Sequence, residues 1–182
     1  MKILKSWTRK AAAGFTLTEL IITMVVLIIF SAIAIPNLRK MLYSEKSTAS
    51  ARLLAGWIDE RRRQAIQSSD PCIISIDIEE AVFRQSDTNR CGVFPTLYLR
   101  KELPKNNNIK LTLLNQSPTE WIFTSRGTIY QEPNTSSDDL ELLIEDERSS
   151  AVARRCLKVT APLGLVRSGR YINETCDYTN VF

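Results

Sequence analysis

From Phe15 to Ile35 the chain reads FTLTELIITMVVLIIFSAIAI, 21 residues whose only ionisable side chain is Glu19. As an α-helix this run is roughly 30 Å long, enough to cross the hydrocarbon core of a bilayer. Lys2, Lys5, Arg9 and Lys10 precede it, with no acid among residues 1–14. The positive-inside rule keeps that basic flank in the cytoplasm and sends the larger C-terminal part outside. A plain anchor or a signal peptide is the simplest account, and Ala32-Ile33-Ala34 is a triplet of the kind signal peptidase cuts. Glu19 speaks against both. A carboxylate in the bilayer costs a few kcal/mol and persists mostly where something specific pairs with it.

The 182-residue chain holds 24 Lys+Arg against 20 Asp+Glu, a formal charge of +4. All of that excess lies in residues 1–14, so the remainder carries 20 bases and 20 acids and is neutral. The chain has no histidine, which removes the commonest general base, the usual zinc ligand and the Ser-His and Cys-His nucleophile pairs. No paired carboxylates, phosphate loop or nucleophile arrangement stands out. Neither a catalytic residue, a metal site nor a cofactor is expected.

Residues 37–67 contain no proline and space Leu38, Met41, Leu42, Ala49, Leu53, Leu54, Trp57, Ile58, Ala65 and Ile66 at steps of about three and four. This predicts an amphipathic helix with its apolar face on a sheet and Arg61, Arg62 and Arg63 on the wet side. A solvated face explains that arginine run more simply than nucleic-acid binding does. Ser68-Ser69-Asp70-Pro71 ends the helix. Beyond it the period becomes two: Cys72, Ile74, Ile76 and Ile78 alternate with Ile73, Ser75, Asp77 and Glu79. Further strands are expected at 81–85, 96–101, 109–114, 120–124, 127–131, 140–145, 156–161 and 164–171. Turns are expected at Ser125-Arg126-Gly127 and Pro162-Leu163-Gly164. The pattern predicts an α+β fold, one long N-terminal helix packed on an antiparallel sheet.

Gly14-Phe15-Thr16-Leu17-Thr18-Glu19, followed by the apolar run and Pro36, resembles the class III signal of type IV pilins and type II secretion pseudopilins. The resemblance implies a leader (1–14) cut between Gly14 and Phe15 by a prepilin peptidase, which then N-methylates Phe15. It also implies a transmembrane and assembly helix (15–36), an amphipathic helix (37–70) and a globular sheet domain (71–182), together the pilin fold. The partners are other pilin or pseudopilin subunits and the bacterial inner membrane, with the globular domain outside the cytoplasm. Glu19 then pairs with the Phe15 amino terminus of a neighbouring subunit and fixes the stagger of bundled helices, as one buried polar residue fixes coiled-coil register. Pro36 marks a kink, or a helix break at the membrane surface.

Trp121-Ile122-Phe123 leading into Arg126-Gly127-Thr128, and Cys156-Leu157-Lys158-Val159 followed by Gly164-Leu165-Val166-Arg167-Ser168-Gly169-Arg170, look most like the FimT/GspH type of minor pilins. The implied function is a minor type IV pilin that joins or primes a pilus, with DNA uptake or adhesion as a further role. An H-type pseudopilin of a type II secretion system is the alternative, and a signal-anchored periplasmic binding protein or enzyme a third.

Outside the cytoplasm Cys72, Cys91, Cys156 and Cys176 are expected to be oxidised. Three pairings are open, of which nearest-neighbour bridging is the simplest. A zinc site of four thiolates competes, with spacings that do not suit paired zinc knuckles. Acids and bases also segregate. Glu132, Asp138, Asp139, Glu141, Glu145, Asp146 and Glu147 form a stretch without a base, and Arg148, Arg154, Arg155, Lys158, Arg167 and Arg170 one without an acid. Pairing between adjacent strands explains this directly. The other explanation is a DNA-phosphate site in which Arg167 and Arg170 flank a Ser168-Gly169 turn. DNA-binding FimT-type pilins carry Gly-Arg-x-Arg, where this chain has Gly169-Arg170-Tyr171-Ile172, with Ile172 in place of the second arginine.

Overall fold

The computed structural model describes residues 14–86, 91–102, 108–115, 117–130, 139–148 and 154–179. Helix α1 (Leu17–Ser68) takes in the apolar run, Pro36 and the amphipathic stretch. The chain divides into two compact units, Met1–Arg39 and Lys40–Phe182.

In the N-terminal unit Gly14, Phe15 and Thr16 are non-helical, and the helix that follows is long and apolar enough to cross a membrane. Its polar side chains turn back on their own backbone: Thr23 Oγ1 donates to Leu20 O at 2.8 Å and Ser31 Oγ to Leu27 O at 2.7 Å. The helix runs on through Pro36, so the alternative of a helix break at this position is not met. Proline lacks the N–H for its own i−4 bond. Next to it, Asn37 Nδ2 donates to Ile33 O at 3.4 Å.

In the C-terminal unit α1 buries Ser47, Ala51, Leu54, Ile58, Arg61 and Ala65. Their alternating steps of four and three make one stripe along the helix. Leu53 and Ile66, expected on the packed face, are exposed because they fall beside that stripe, and Leu38, Met41 and Leu42 are exposed as well. Ser69 closes the helix with φ 58°, and Pro71 follows.

Two five-stranded antiparallel sheets follow, where one was expected. The first has the order β3-β2-β1-β5-β6, from β1 (Cys72–Asp77), β2 (Val82–Gln85), β3 (Leu97–Tyr98), β5 (Glu120–Phe123) and β6 (Ile129–Tyr130). The second has the order β10-β9-β8-β7-β4, from β4 (Ile109–Leu114), β7 (Leu140–Asp146), β8 (Arg155–Thr160), β9 (Leu165–Ile172) and β10 (Thr175–Asp177). The strand expected at 96–101 is only β3, after which the short helix α2 (Leu99–Glu102) buries Leu99. β10 has no alternating apolar pattern and was not expected; Asn173 and Glu174, both at positive φ, turn the chain into it. The stretch 131–138, with the end of the expected strand 127–131, lies outside the described residues.

Both sheets share one core with the helix. Ala51, Leu54 and Ile58 of α1 join Ile74, Phe83, Trp121 and Phe123 of the first sheet and Leu142, Ile144, Leu157 and Val159 of the second. The sheets are also stitched by backbone, Ile129 N donating to Pro162 O at 2.8 Å.

Candidate functional site

The Gly14–Phe15 bond lies in the exposed, non-helical stretch just before α1, and Phe15 is 79 % exposed. Thr16 caps the helix: its Oγ1 accepts from Glu19 N at 3.3 Å and its carbonyl from Leu20 N at 3.2 Å. Thr16-Leu17-Thr18-Glu19 therefore has the spacing of a capping box, a signal present in the sequence beside the one read from it. Glu19 is in the first helical turn and exposed, which leaves its carboxylate open to a group outside the chain.

The cysteines come together in two disulfides. Cys72–Cys91 has a Cα–Cα distance of 5.2 Å and Cys156–Cys176 one of 6.0 Å. The first is wholly buried and ties the segment after β2 to the start of β1. The second joins β8 to β10 across β9.

β7 and β8 bring the segregated charges into register. Glu141 faces Lys158 across the ladder, and Lys158 Nζ lies 2.6 Å from Asp139 and 3.1 Å from Glu141. Glu145 takes Arg154 Nε at 3.2 Å and Lys110 of β4 at 3.9 Å. The hydrogen bond that Lys158 donates to the Asp139 carboxylate raises the Lys158 pKa, against burial and with Glu141 adding to it. Among the described acids, the acidic stretch is thus largely paired with the basic one within the second sheet, the first of the two explanations. Glu132 and Asp138 lie outside the described residues.

Arg167 and Arg170 do not flank a turn. Ser168 and Gly169 are interior to β9, so the two arginines, three residues apart on a strand, project from opposite faces. Arg167 faces Lys158 on the side of the acidic ladder, whereas Arg170 faces Arg155 on the side of α1. The glycine belongs there because the chain after β10 crosses over it. A Cβ at Gly169 would meet the Asp177 backbone and lie 2.8 Å from the Tyr178 ring. The expected two-arginine phosphate clamp is therefore not formed.

The arginine run is also split. Arg63 is exposed and pairs with Asp59 at 2.6 Å, while Arg62 donates Nε–H to Gly127 O at 2.9 Å. Arg61, expected on the wet side, is only 4 % exposed. It occupies the stripe position between Ile58 and Ala65, with its guanidinium 3.7 Å from the Phe94 ring centre and 5.2 Å from that of Trp57. Burial lowers its pKa, opposed by the charge of Glu60. Its Nε and Nη1 have no hydrogen-bond partner. The steps from 58 to 61 and 61 to 65 were the available sign of this.

An open cleft of about 430 Å³ at the end of β1 is lined by Asp77, Glu79 and Arg84 among others.

Residues 9–35 match the family model of the prokaryotic N-terminal methylation motif. No curated protein matches the chain in sequence. In fold the chain is similar to the minor pseudopilin EpsH of the type 2 secretion system of Vibrio cholerae, with a TM-score of 0.50 and 12 % identity over 69 % of this chain and 97 % of that one. The type IV minor pilin FimU of Pseudomonas aeruginosa aligns with a TM-score of 0.48 and 12 % identity over 71 % of this chain and 90 % of that one.

Proposed function

We propose that this chain, similar in its N-terminal motif and its fold to the type IV pilins and pseudopilins, is a minor filament subunit. A prepilin peptidase cuts it after Gly14 and methylates Phe15, and the inner membrane holds it until it is assembled. The observation that carries this reading is the methylation motif over residues 9–35, which takes in an apolar run from Phe15 to Ile35 whose one carboxylate is Glu19. The assembly we favour is a type IV pilus that the subunit joins or primes. The same physics serves the pseudopilus of a type II secretion system, the system of EpsH, whose fold this chain shares. A role in DNA uptake or adhesion draws nothing from Arg167 and Arg170 as a pair, since they face opposite ways.

Glu19 acts here by its charge, pairing with the amino terminus of a neighbour's Phe15 as both leave water. Glu19→Ala and Glu19→Gln separate that role from helix capping, because Gln keeps a capping partner for Thr16 without the charge. Both variants are expected to be processed normally and to be missing from sheared filaments. Normal incorporation of Glu19→Gln would reduce Glu19 to a cap.

A further inference from the structure

On the acidic side of the second sheet Lys158 pairs with Asp139 and Glu141, and Arg154 with Glu145, while Arg167 stands opposite Lys158 without an ion pair among the described residues. On the side of α1 two arginines meet. Arg155 of β8 stands directly opposite Arg170 of β9. Opposite residues of an antiparallel pair have Cβ atoms about 5 Å apart, and like charges so placed repel. Arg155 is held there by Nε–H donating to Thr48 Oγ1 at 3.0 Å, and Thr48 in turn donates to Ser44 O at 2.8 Å. Arg52, one helical turn beyond Thr48, adds a third positive charge. Burial first, then Arg170 and Arg52, hold the Arg155 pKa down, and Glu45 opposes them. On the other side of Arg170, β10 presents Asp177, whose Oδ1 accepts from Thr179 N at 2.9 Å. Among the described residues neither Arg155 nor Arg170 forms an ion pair, and Arg170 is exposed.

Two arginines set against each other beside a helix, neither of them in an ion pair among the described residues, leave a complement to come from outside. A guanidinium pair matches carboxylates bidentately. A nucleic-acid backbone is met by a basic stripe on a positively charged domain. Here the positive charge is a point, the chain from Phe15 onward is neutral, and Arg167 lies on the opposite face. We propose that Arg155 and Arg170 form a docking site for a carboxylate-bearing segment of a neighbouring subunit in the same filament. This inference rests on the filament reading above.

The test uses the full-length chain in its host. Carbodiimide joins amines to carboxylates at zero length and leaves arginine untouched, so Arg170→Lys keeps the charge and makes the site reportable. In filaments carrying Arg170→Lys, peptide mapping is expected to find position 170 joined to an Asp or Glu of another subunit. The double variant Arg155→Glu/Arg170→Glu is expected to be processed and then lost from filaments. Filaments that contain Arg170→Lys but give no cross-link at 170, or only one to Glu45 or Asp177 of the same chain, would overturn the site and leave the filament reading intact. Absence of even the unaltered chain from filaments would overturn both. Retention of the detergent-solubilised full-length protein on duplex DNA, lost in the double variant, would overturn the carboxylate assignment in favour of phosphate.

Discussion

Arg62 donates its Nε–H to the carbonyl oxygen of Gly127 at 2.9 Å, fastening the last turns of α1 to the turn between β5 and β6. The turn between β8 and β9 arrives at the same place. Gly164 there has φ +66°, and a Cβ on it would lie 2.6 Å from Gly127 O and 3.1 Å from the Phe123 ring. Helix, first sheet and second sheet thus meet at two glycines and one arginine.

Gly164→Ala is therefore expected to cost about 1–3 kcal/mol, from left-handed strain and from contact with backbone that cannot move aside. Gly56→Ala is the control. Gly56 lies in α1, and a Cβ added to it would meet nothing within 4 Å, so helix propensity alone applies. That change should stabilise by about 1 kcal/mol. Urea denaturation of a fragment beginning at Lys40 reads both. A neutral Gly164→Ala would mean that the two turns do not meet as described.

Arg61 yields a prediction of the opposite sign. Its guanidinium is buried between Phe94 and Trp57 with two unpartnered nitrogens. Methionine fills a similar length without a charge to desolvate, so Arg61→Met should leave stability unchanged or raise it by about 1 kcal/mol or more. Phe94→Ala, which strips the ring from the cation, should destabilise. A large loss in Arg61→Met, read by the same urea titration, would show that the charge itself stabilises the fold.

How much of this could be read from the sequence depends on the element. The long apolar stretch of α1 was legible because its signals are local: apolar length and a single acid within it. The strands were legible wherever alternation was clean, as from Cys72 to Ile76. Arg61 was misplaced because its residue type outweighed its position, although the 58–61–65 spacing put it in the buried stripe. Ser168-Gly169 looked like a turn because glycine usually marks one. Here it answers to Asp177 and Tyr178, a contact that nothing in the local sequence announces. The division into two sheets, and the meeting of Arg155 with Arg170, come from pairing between distant segments.

The ladder of Asp139 with Lys158 predicts a pH dependence. Burial pushes the Asp139 carboxyl up, but the Lys158 ammonium at 2.6 Å and the Ala161 N–H at 2.8 Å bring it below its ordinary 3.8. The folded value is below the unfolded one, so this stability is present above about pH 4 and is lost as pH falls through the folded value. For Lys158 the accepting Asp139 raises the folded value above 10.5, so its share is present below that and is lost as pH rises through the folded value. Lys158→Met is expected to lose about 1–2 kcal/mol at neutral pH. It should also flatten the acid limb of the stability curve, measured by thermal melts from pH 3 to pH 7 on the order of one unit apart.

Processing as a filament subunit is tested most directly by the mass of the mature N-terminal peptide, taken from full-length protein recovered from membranes. The expected peptide begins at N-methylated Phe15, with residues 1–14 removed. A peptide beginning at Ile35, after the Ala32-Ile33-Ala34 triplet, or an uncut chain beginning at Met1, would contradict it.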